Sequence, residues 1–454
     1  MNLEGRRFLV VGTGKSGIAA AELLYVHHFK VTLYDSNERV LAEEIYQKSP
    51  MLKNVSIITG ELTEALMKET DIAVLSPGVP TDAAFVNQLR ENNVGILGEI
   101  ELAYELGKGT LVAITGTNGK TTTTSLVGEI MAAYYCHTQV VGNIGIPYTM
   151  VVDEQQDDTV TVAEISSFQL ETISEFHPKV SAILNITPDH LNRHYTMENY
   201  IAIKEAITKN QDLSDTCVLN YENEYTREFG NRCPAKVVFF SSKTVLSDGY
   251  FYKDGKIIAA ENGIQEELLD TSQMKLVGMC NVENVMAAIA MGRAMNVPMD
   301  TILRTVKNFN AVEHRIEYVA TKAGVRYYND SKGTNPDAAI QGIKAMEGPT
   351  LLIGGGYDKG SEYDEWIQSF DGKVKLFVLI GATREKIAET AKGYGLYEQI
   401  RFADSLEEAM DICIHNAEMG DNVLLSPACA SWGMFSNYEE RGDKFKEIVL
   451  RLKE

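Results

Sequence analysis

An apolar run, Thr110–Ile114, feeds Thr115-Gly116-Thr117-Asn118-Gly119-Lys120-Thr121-Thr122, and a helical pattern continues to about Tyr134. Few folds accommodate that order of residue types. A strand that ends in glycines and turns into a helix opening on Gly-Lys-Thr presents backbone amides to an anion. It also adds a cation in Lys120 and leaves the Thr121 hydroxyl for Mg²⁺. The loop is shorter than G-x-x-x-x-G-K-[ST], because Ile114 stands where the first glycine would be. ATP is the expected ligand, held by Gly116, Thr117, Asn118, Gly119, Lys120, Thr121 and Thr122. A bare helix-opening turn would not account for a lysine followed by two threonines.

The same alternation of strand and helix extends through all 454 residues. Before the loop, Phe8–Val11, Val31–Tyr34, Val55–Ile58, Ile72–Leu75 and Gly95–Leu97 read as strands, with helices at Ile18–Val26 and Asp82–Asn92. These strands are continuous apolar runs, the pattern of a parallel sheet covered on both faces. After the loop come strands at Thr159–Ala163, Val180–Leu184, Cys217–Leu219 and Val237–Phe240, and helices at Glu198–Lys209, Asn281–Met295 and Met299–Asn308. Leu246–Leu269 reads as irregular, with a hairpin around Asp254-Gly255. The alternation restarts after Asn310, with strands Val325–Tyr328, Thr350–Ile353, Leu376–Ile380, Ile400–Phe402 and Asn422–Leu425 and a last helix at Tyr438–Leu452. The expected fold is α/β in three domains: a Rossmann-like domain at 1–98, a P-loop ATPase domain at 99–310 and a second Rossmann-like domain at 311–454.

Charge excludes some partners. Lys and Arg number 42 against 63 Asp and Glu, a net charge of −21. Nucleic acid and anionic membrane need a basic footprint, so neither is expected, and a polyanionic ligand must be held by local donors. No apolar run approaches the roughly 18–20 residues of a membrane span. The apolar stretch at the N-terminus is too short for a secretory core. The six cysteines show no metal-like spacing and read as reduced, mostly buried thiols of a cytoplasmic protein.

Other residues carry weaker chemical signals. Gly12-Thr13-Gly14-Lys15-Ser16-Gly17 fits G-x-G-x-x-G after a strand, and Asp35 closes the next strand. Such a loop suits nicotinamide or any other nucleotide diphosphate, or is a turn without ligand. Ser76-Pro77-Gly78 lies on the same carboxyl edge. Glu164 and Asp189-His190 end strands downstream of the phosphate loop, where a carboxylate and an imidazole can hold Mg²⁺ or position a substrate. Tyr200, Ile203, Lys204 and Ile207 form an i, i+3, i+4, i+7 stripe, which puts Lys204 on an apolar face while Glu205 and Lys209 point away. A buried ammonium is costly, so Lys204 either snorkels or is converted by CO₂ to an anionic carbamate. Asn281 and Asn284 either bind a ligand or cap a helix. In the third domain, Arg315 can reach a phosphate, and the loops Asp330–Asn335, Gly354–Lys359 and Ser426–Ser431 all follow strands. They therefore converge on one crevice rich in cations, hydroxyls and amides, which suits an acidic small molecule.

Taken together, Gly116–Thr122, Glu164-Ile165-Ser166-Ser167, Asp189-His190, Tyr200-x₃-Lys204, Asn281-x₂-Asn284, His314-Arg315 and Asp330-Ser331-Lys332 resemble the Mur ligase family, the ATP-dependent amino-acid-adding enzymes of bacterial cell-wall synthesis. Ser331–Asn335 and Ser426–Ser431 resemble its D-glutamate-adding branch, and the Asp-Asn-Pro-Arg loop of the lysine- and diaminopimelate-adding branches is missing. The resemblance implies UDP-N-acetylmuramoyl-L-alanine and D-glutamate as substrates, an acyl phosphate intermediate, and a monomeric enzyme using ATP and Mg²⁺. It implies that Thr121 and Glu164 hold one Mg²⁺, and His190 and carbamylated Lys204 the other. Lys120, Glu164, His190 and Lys204 become the catalytic set. Asn281, Arg315 and Asp330 would serve ATP. Lys15, Ser16, Gly17, Asp35, Ser36, Ser76, Gly78 and Asn143 would bind the UDP-sugar, and Lys332, Thr334, Ser431 and Tyr438 the D-glutamate. Related enzymes carry Phe at the position of Tyr438. Other readings are a folylpolyglutamate synthase, against which the first-domain loop argues, a nicotinamide-dependent oxidoreductase with an incidental phosphate loop, and a nucleotide-binding switch.

Overall fold

The apolar runs of the first hundred residues form a parallel sheet of β1 (Arg7–Val11), β2 (Lys30–Asp35), β3 (Ser56–Thr59), β4 (Ile72–Leu75) and β5 (Gly95–Gly98), in the order β3-β2-β1-β4-β5. Leu9 and Val10 are both fully buried although they face opposite sides, which is why the strand carries no polar alternation. Strand order reverses between β1 and β4, so the carboxyl ends of these two flank the crevice where sheets of this type take ligands. The structure, a computed structural model, describes residues 3–453.

The second sheet contains β6 (Thr110–Thr115), β7 (Thr138–Gly142), β8 (Val160–Glu164), β9 (Val180–Ile183), β10 (Thr216–Asn220), β11 (Lys236–Ser241), β12 (Gly249–Lys253), β13 (Lys256–Glu261) and β14 (Ile264–Asp270), ordered β14-β13-β12-β11-β10-β9-β6-β8-β7. β6 runs parallel between β9 and β8, so three carboxyl strand ends lie side by side. The expected hairpin is present: Asp254 (φ 49°) and Gly255 (φ 81°) join antiparallel β12 and β13 through two left-handed residues. The rest of Leu246–Leu269 is not irregular but largely strand. β14 is mostly exposed and polar, so it lacks the apolar run that marks a buried strand.

The third sheet contains β15 (Glu317–Lys322), β16 (Val325–Asn329), β17 (Thr350–Gly355), β18 (Val374–Ile380), β19 (Ile400–Phe402) and β20 (Asn422–Leu425), ordered β15-β16-β20-β17-β18-β19. All neighbours are parallel except the hairpin β15–β16. Trp366 is fully buried and meets Phe370 and Phe377 edge-on at 5.6 and 5.4 Å.

The residues divide into two compact units. Met1–Leu269 and Asn284–Val306 form one and carry the first two sheets; Asp270–Glu283 and Lys307–Glu454 form the other and carry the third. Among the described residues no helix is long and apolar enough to cross a membrane. All six cysteines are free; Cys217, Cys413 and Cys429 are buried, and only Cys136 is exposed.

Candidate active site

The phosphate loop leaves β6 and opens the helix Lys120–Ala132. Gly119 has φ 85°, and a Cβ there would sit 2.3 Å from Asn284 Oδ1, so only glycine allows this approach. The segment after β9 braces the loop. Asn118 N donates to Asn185 Oδ1 at 2.8 Å, Thr117 N to Asn185 O at 2.9 Å, and Thr187 N to Thr117 Oγ1 at 3.0 Å. Lys120 folds back on its own loop, donating to the Gly116 and Thr117 carbonyls at 2.9 Å each. Thr121 and Thr122 are buried in the first helical turn, where amides and the helix dipole attract an anion. Asn284 also belongs here, since its Oδ1 accepts from Thr123 Oγ1 at 3.3 Å. Asn281 belongs to the second unit, where its amide donates to the Val277 carbonyl at 2.8 Å.

Register brings the other candidates to the same edge. Glu164 pairs with Ile114, directly before the loop. Its Oε1 accepts from Asn143 Nδ2 at 2.8 Å, and its buried Oε2 has no hydrogen-bond partner. An orphaned buried carboxylate oxygen fits a cation that ligand oxygens and a hydroxyl would complete. Among the described residues no three His, Cys, Asp or Glu side chains cluster as a metal site. His190 is left-handed (φ 53°) at the start of the short helix Leu191–His194, half-exposed, its ring 4.9 Å from that of Phe168.

Lys204 is 1% exposed and donates to the Gly116 carbonyl at 2.9 Å, the same oxygen that Lys120 uses. Its ammonium lies 4.7 Å above the Tyr200 ring. Burial, reinforced by the charge of Lys120 and opposed by Asp189, holds its pKa well below the ordinary lysine value. Snorkelling is therefore not its solution. The stripe placed Lys204, Tyr200 and Ile207 correctly, but Glu205 does not point away: it is buried and forms two 2.6 Å bonds with Arg232.

At the first sheet, a Cβ on Gly17 would lie 1.8 Å from the Gly12 carbonyl, the close helix–strand approach of a nucleotide loop. Asp35 turns inward, accepting from Thr13 N and Oγ1 at 3.0 and 2.6 Å and from Asn37 N at 3.0 Å. Burial raises its pKa, but these bonds outweigh it and the carboxyl sits below its ordinary range. Lys15, Ser36 and Gly78 are exposed and Ser16 half-buried, while the Ser76 hydroxyl is buried without a partner. Asn143 is exposed apart from its bond to Glu164.

In the second unit, Asp330 is buried, accepting from Ile316 N at 3.2 Å and Ser426 Oγ at 2.7 Å. Burial pushes its pKa up to about 7. Arg315 lies close enough to act on it electrostatically and has a buried Nε without a partner. Lys332 lies 5.4 Å above the Tyr438 ring, Thr334 N donates to the Lys332 carbonyl, and Ser431 is buried. Sequence reasoning missed Arg441. It is 1% exposed and ties two strand-end loops together, donating to Ser331 Oγ and O at 2.9 and 2.7 Å and to the Cys429 carbonyl at 3.2 Å. Its only sequence signal is an arginine on the inward face of the last helix.

Comparison with known proteins defines the class. Residues 6–98 match the N-terminal domain "Mur ligase MurD-like", 114–292 the Mur ligase middle domain and 314–429 the glutamate ligase domain of Mur ligases. The chain belongs to the Mur ligase family. A protein of Lachnoclostridium phytofermentans, 56% identical over 454 residues and covered in full by a fully matched chain, is a UDP-N-acetylmuramoylalanine–D-glutamate ligase. A protein of the same name from Thermoanaerobacter sp. is 47% identical over 454 residues, again covering 100% of each chain. The solved UDP-N-acetylmuramate-alanine ligase MurC of Thermotoga maritima shares the fold, with TM-score 0.61, 18% identity and coverage of 98% and 99%.

Proposed function

We propose that the chain is an ATP-dependent amide ligase of peptidoglycan synthesis that joins D-glutamate to UDP-N-acetylmuramoyl-L-alanine, releasing ADP and phosphate. The observation that carries this reading is full-length identity to ligases of that name, together with two lysines directed at one phosphate-loop carbonyl beside a partnerless carboxylate oxygen. Residues 1–98 hold the UDP-sugar through Lys15–Gly17, Asp35-Ser36, Ser76 and Gly78, with Asn143. Asp35 acts by fixing the Thr13 amide rather than by facing outward. Residues 99–310 hold ATP, and 311–454 hold D-glutamate through Lys332, Thr334, Ser431 and Tyr438. Asn281, Arg315 and Asp330 serve the nucleotide, Asp330 by shaping its loop.

In the first step the substrate carboxylate attacks the γ-phosphorus, and ADP leaves. Two anions must approach, so the demand is on positioning and charge. Lys120 leaves its loop carbonyls for the β/γ-phosphates, while the helix N-terminus holds their oxygens. In the second step the amine of D-glutamate attacks the acyl carbon. The tetrahedral adduct loses a proton and expels phosphate. Thr121 and Glu164 are the residues that would hold one Mg²⁺, and His190 with Lys204 a second; bound there, Mg²⁺ neutralises phosphate charge.

Lys204 suits a carbamate because its depressed pKa favours the neutral amine, which is the form that attacks CO₂. The ammonium first gives up one proton; the neutral nitrogen then bonds to the CO₂ carbon as a C=O π pair moves onto oxygen, and a second proton leaves the nitrogen, so a cation becomes an anionic oxygen ligand. The whole reading is tested by phosphate release from ATP with UDP-N-acetylmuramoyl-L-alanine, comparing D-glutamate with L-glutamate, L-lysine and diaminopimelate. Release dependent on D-glutamate alone is expected. Release that ignores the amino acid, or that follows another one, overturns it.

A further inference from the structure

One buried ion pair of the first unit has no place in this chemistry. Arg193 lies in the short helix just after His190, and Glu171 closes the turn that begins at Ser166. Their side chains are 12% and 8% exposed, and the pair is bidentate, Nε to Oε1 at 3.1 Å and Nη2 to Oε2 at 2.6 Å. Exposed ion pairs contribute little, but a buried fork fixes the geometry of whatever it also touches.

It reaches the loop after β4, the Phe168 ring and His194, whose Nδ1 lies 3.4 Å from Glu171 Oε1. Nη2 donates to the Val79 carbonyl at 2.8 Å, and Thr81 Oγ1 donates to Glu171 Oε2 at 3.0 Å. Val79 and Thr81 continue the loop that leaves β4 at Ser76. On its other side the Arg193 guanidinium lies 5.2 Å above the Phe168 ring, and that ring packs at a tilt against His190, 4.9 Å between centroids. One ion pair therefore links the ligand loop of the first sheet, through a single aromatic ring, to an imidazole at the phosphate-loop edge. Tyr195, two residues after Arg193, adds a hydroxyl bond to Asp82 on the same loop.

We infer that Glu171 and Arg193 are a positioning pair that sets the loop at Ser76–Thr81 relative to His190, and so aligns the UDP-linked substrate without contributing to ATP binding. The inference rests on the proposed function. Neither side chain needs to touch a reacting atom. A displacement of about 1 Å between substrate and catalytic groups is enough to cost about 10²-fold in rate.

The test is Arg193→Lys in the full chain. Lysine keeps the charge but cannot span both Glu171 oxygens and the Val79 carbonyl. Glu171→Gln, similar in shape and uncharged, is the second variant. Two readouts are taken: steady-state kinetics, and amide hydrogen exchange at 76–82 and 116–122. Expected are a fall of about tenfold or more in kcat/KM for the UDP-linked substrate with KM for ATP within about twofold, and faster exchange at 76–82 with 116–122 unchanged. Unchanged exchange at 76–82 overturns the inference, as does an equal rise in KM for both substrates. If the wild-type chain turns over no UDP-linked substrate, the proposed function fails, and the exchange comparison alone decides the pair.

Discussion

Lys204 is the side chain whose charge state alters the site most. As an ammonium it shares one carbonyl with Lys120, two like charges on one oxygen; as a carbamate it would answer that cation with an anion. Lys204→Ala should lower kcat by about 10²–10³-fold, and a short carboxylic acid entering the vacated space should restore part of it. Lys204→Arg, too basic to take up CO₂, should be equally inactive and beyond rescue. Phosphate release with and without added acid measures both. Full activity of the alanine variant without additive would remove the carbamate from the mechanism. The depressed pKa also has a folding consequence. Between the folded value and the unfolded one near 10.5 the unfolded chain holds a proton that the native one lacks, so this residue adds stability as pH rises through that window.

Among elements, the first strand–turn–helix depends on the absence of one side chain. Gly17→Ala puts a methyl group 1.8 Å from the Gly12 carbonyl and 3.0 Å from Ser76 Oγ, so the helix Lys15–Val26 must move off β1. A loss of about 3 kcal/mol is expected, read as a lower urea midpoint, with weaker binding of the UDP-linked substrate and unchanged ATP affinity. A wild-type midpoint would mean that the helix shifts freely. This element was legible in the sequence because glycine spacing and buried apolar runs each have one physical meaning. The strands that escaped were edges. Thr138–Gly142 is mostly half-buried and carries no apolar run, and Glu317–Lys322 is an edge hairpin strand with a register shift between Tyr318 and Ala320. Likewise Gly116–Thr122 and Lys204 were readable from local pattern. Arg441 was not, because its worth lies in two carbonyls that come together only when β16 and β20 pair. Glu205 was misread because its ion partner, Arg232, lies 27 residues away and periodicity carries no such information.

For the molecule as a whole, two units with separate cores imply two unfolding transitions rather than one. Both tryptophans, Trp366 and Trp432, lie in the second unit, so their fluorescence follows that unit alone while circular dichroism follows both. The second unit also contains the group that makes stability depend on pH near neutrality. Buried Asp330 has a pKa of about 7 when folded against an ordinary 3.8. Between those values the native state holds a proton that the unfolded chain has released, so stability falls as pH rises, by at most about 1.4 kcal/mol per pH unit. Above pH 7 the full cost is in place and this dependence levels off. Asparagine at 330 keeps an acceptor for Ile316 N, and Ser426 can turn its hydroxyl to accept, with no charge to desolvate. Asp330→Asn should therefore flatten the fluorescence-detected urea midpoint between pH 5 and 7, matching the wild type most closely at the acid end and exceeding it at pH 8. The remainder of the dichroism curve, which belongs to the first unit, should be the same in both proteins. A midpoint for the wild type that does not change with pH would mean that Asp330 is already ionised at pH 5, and that Arg315 and Arg441 outweigh its burial.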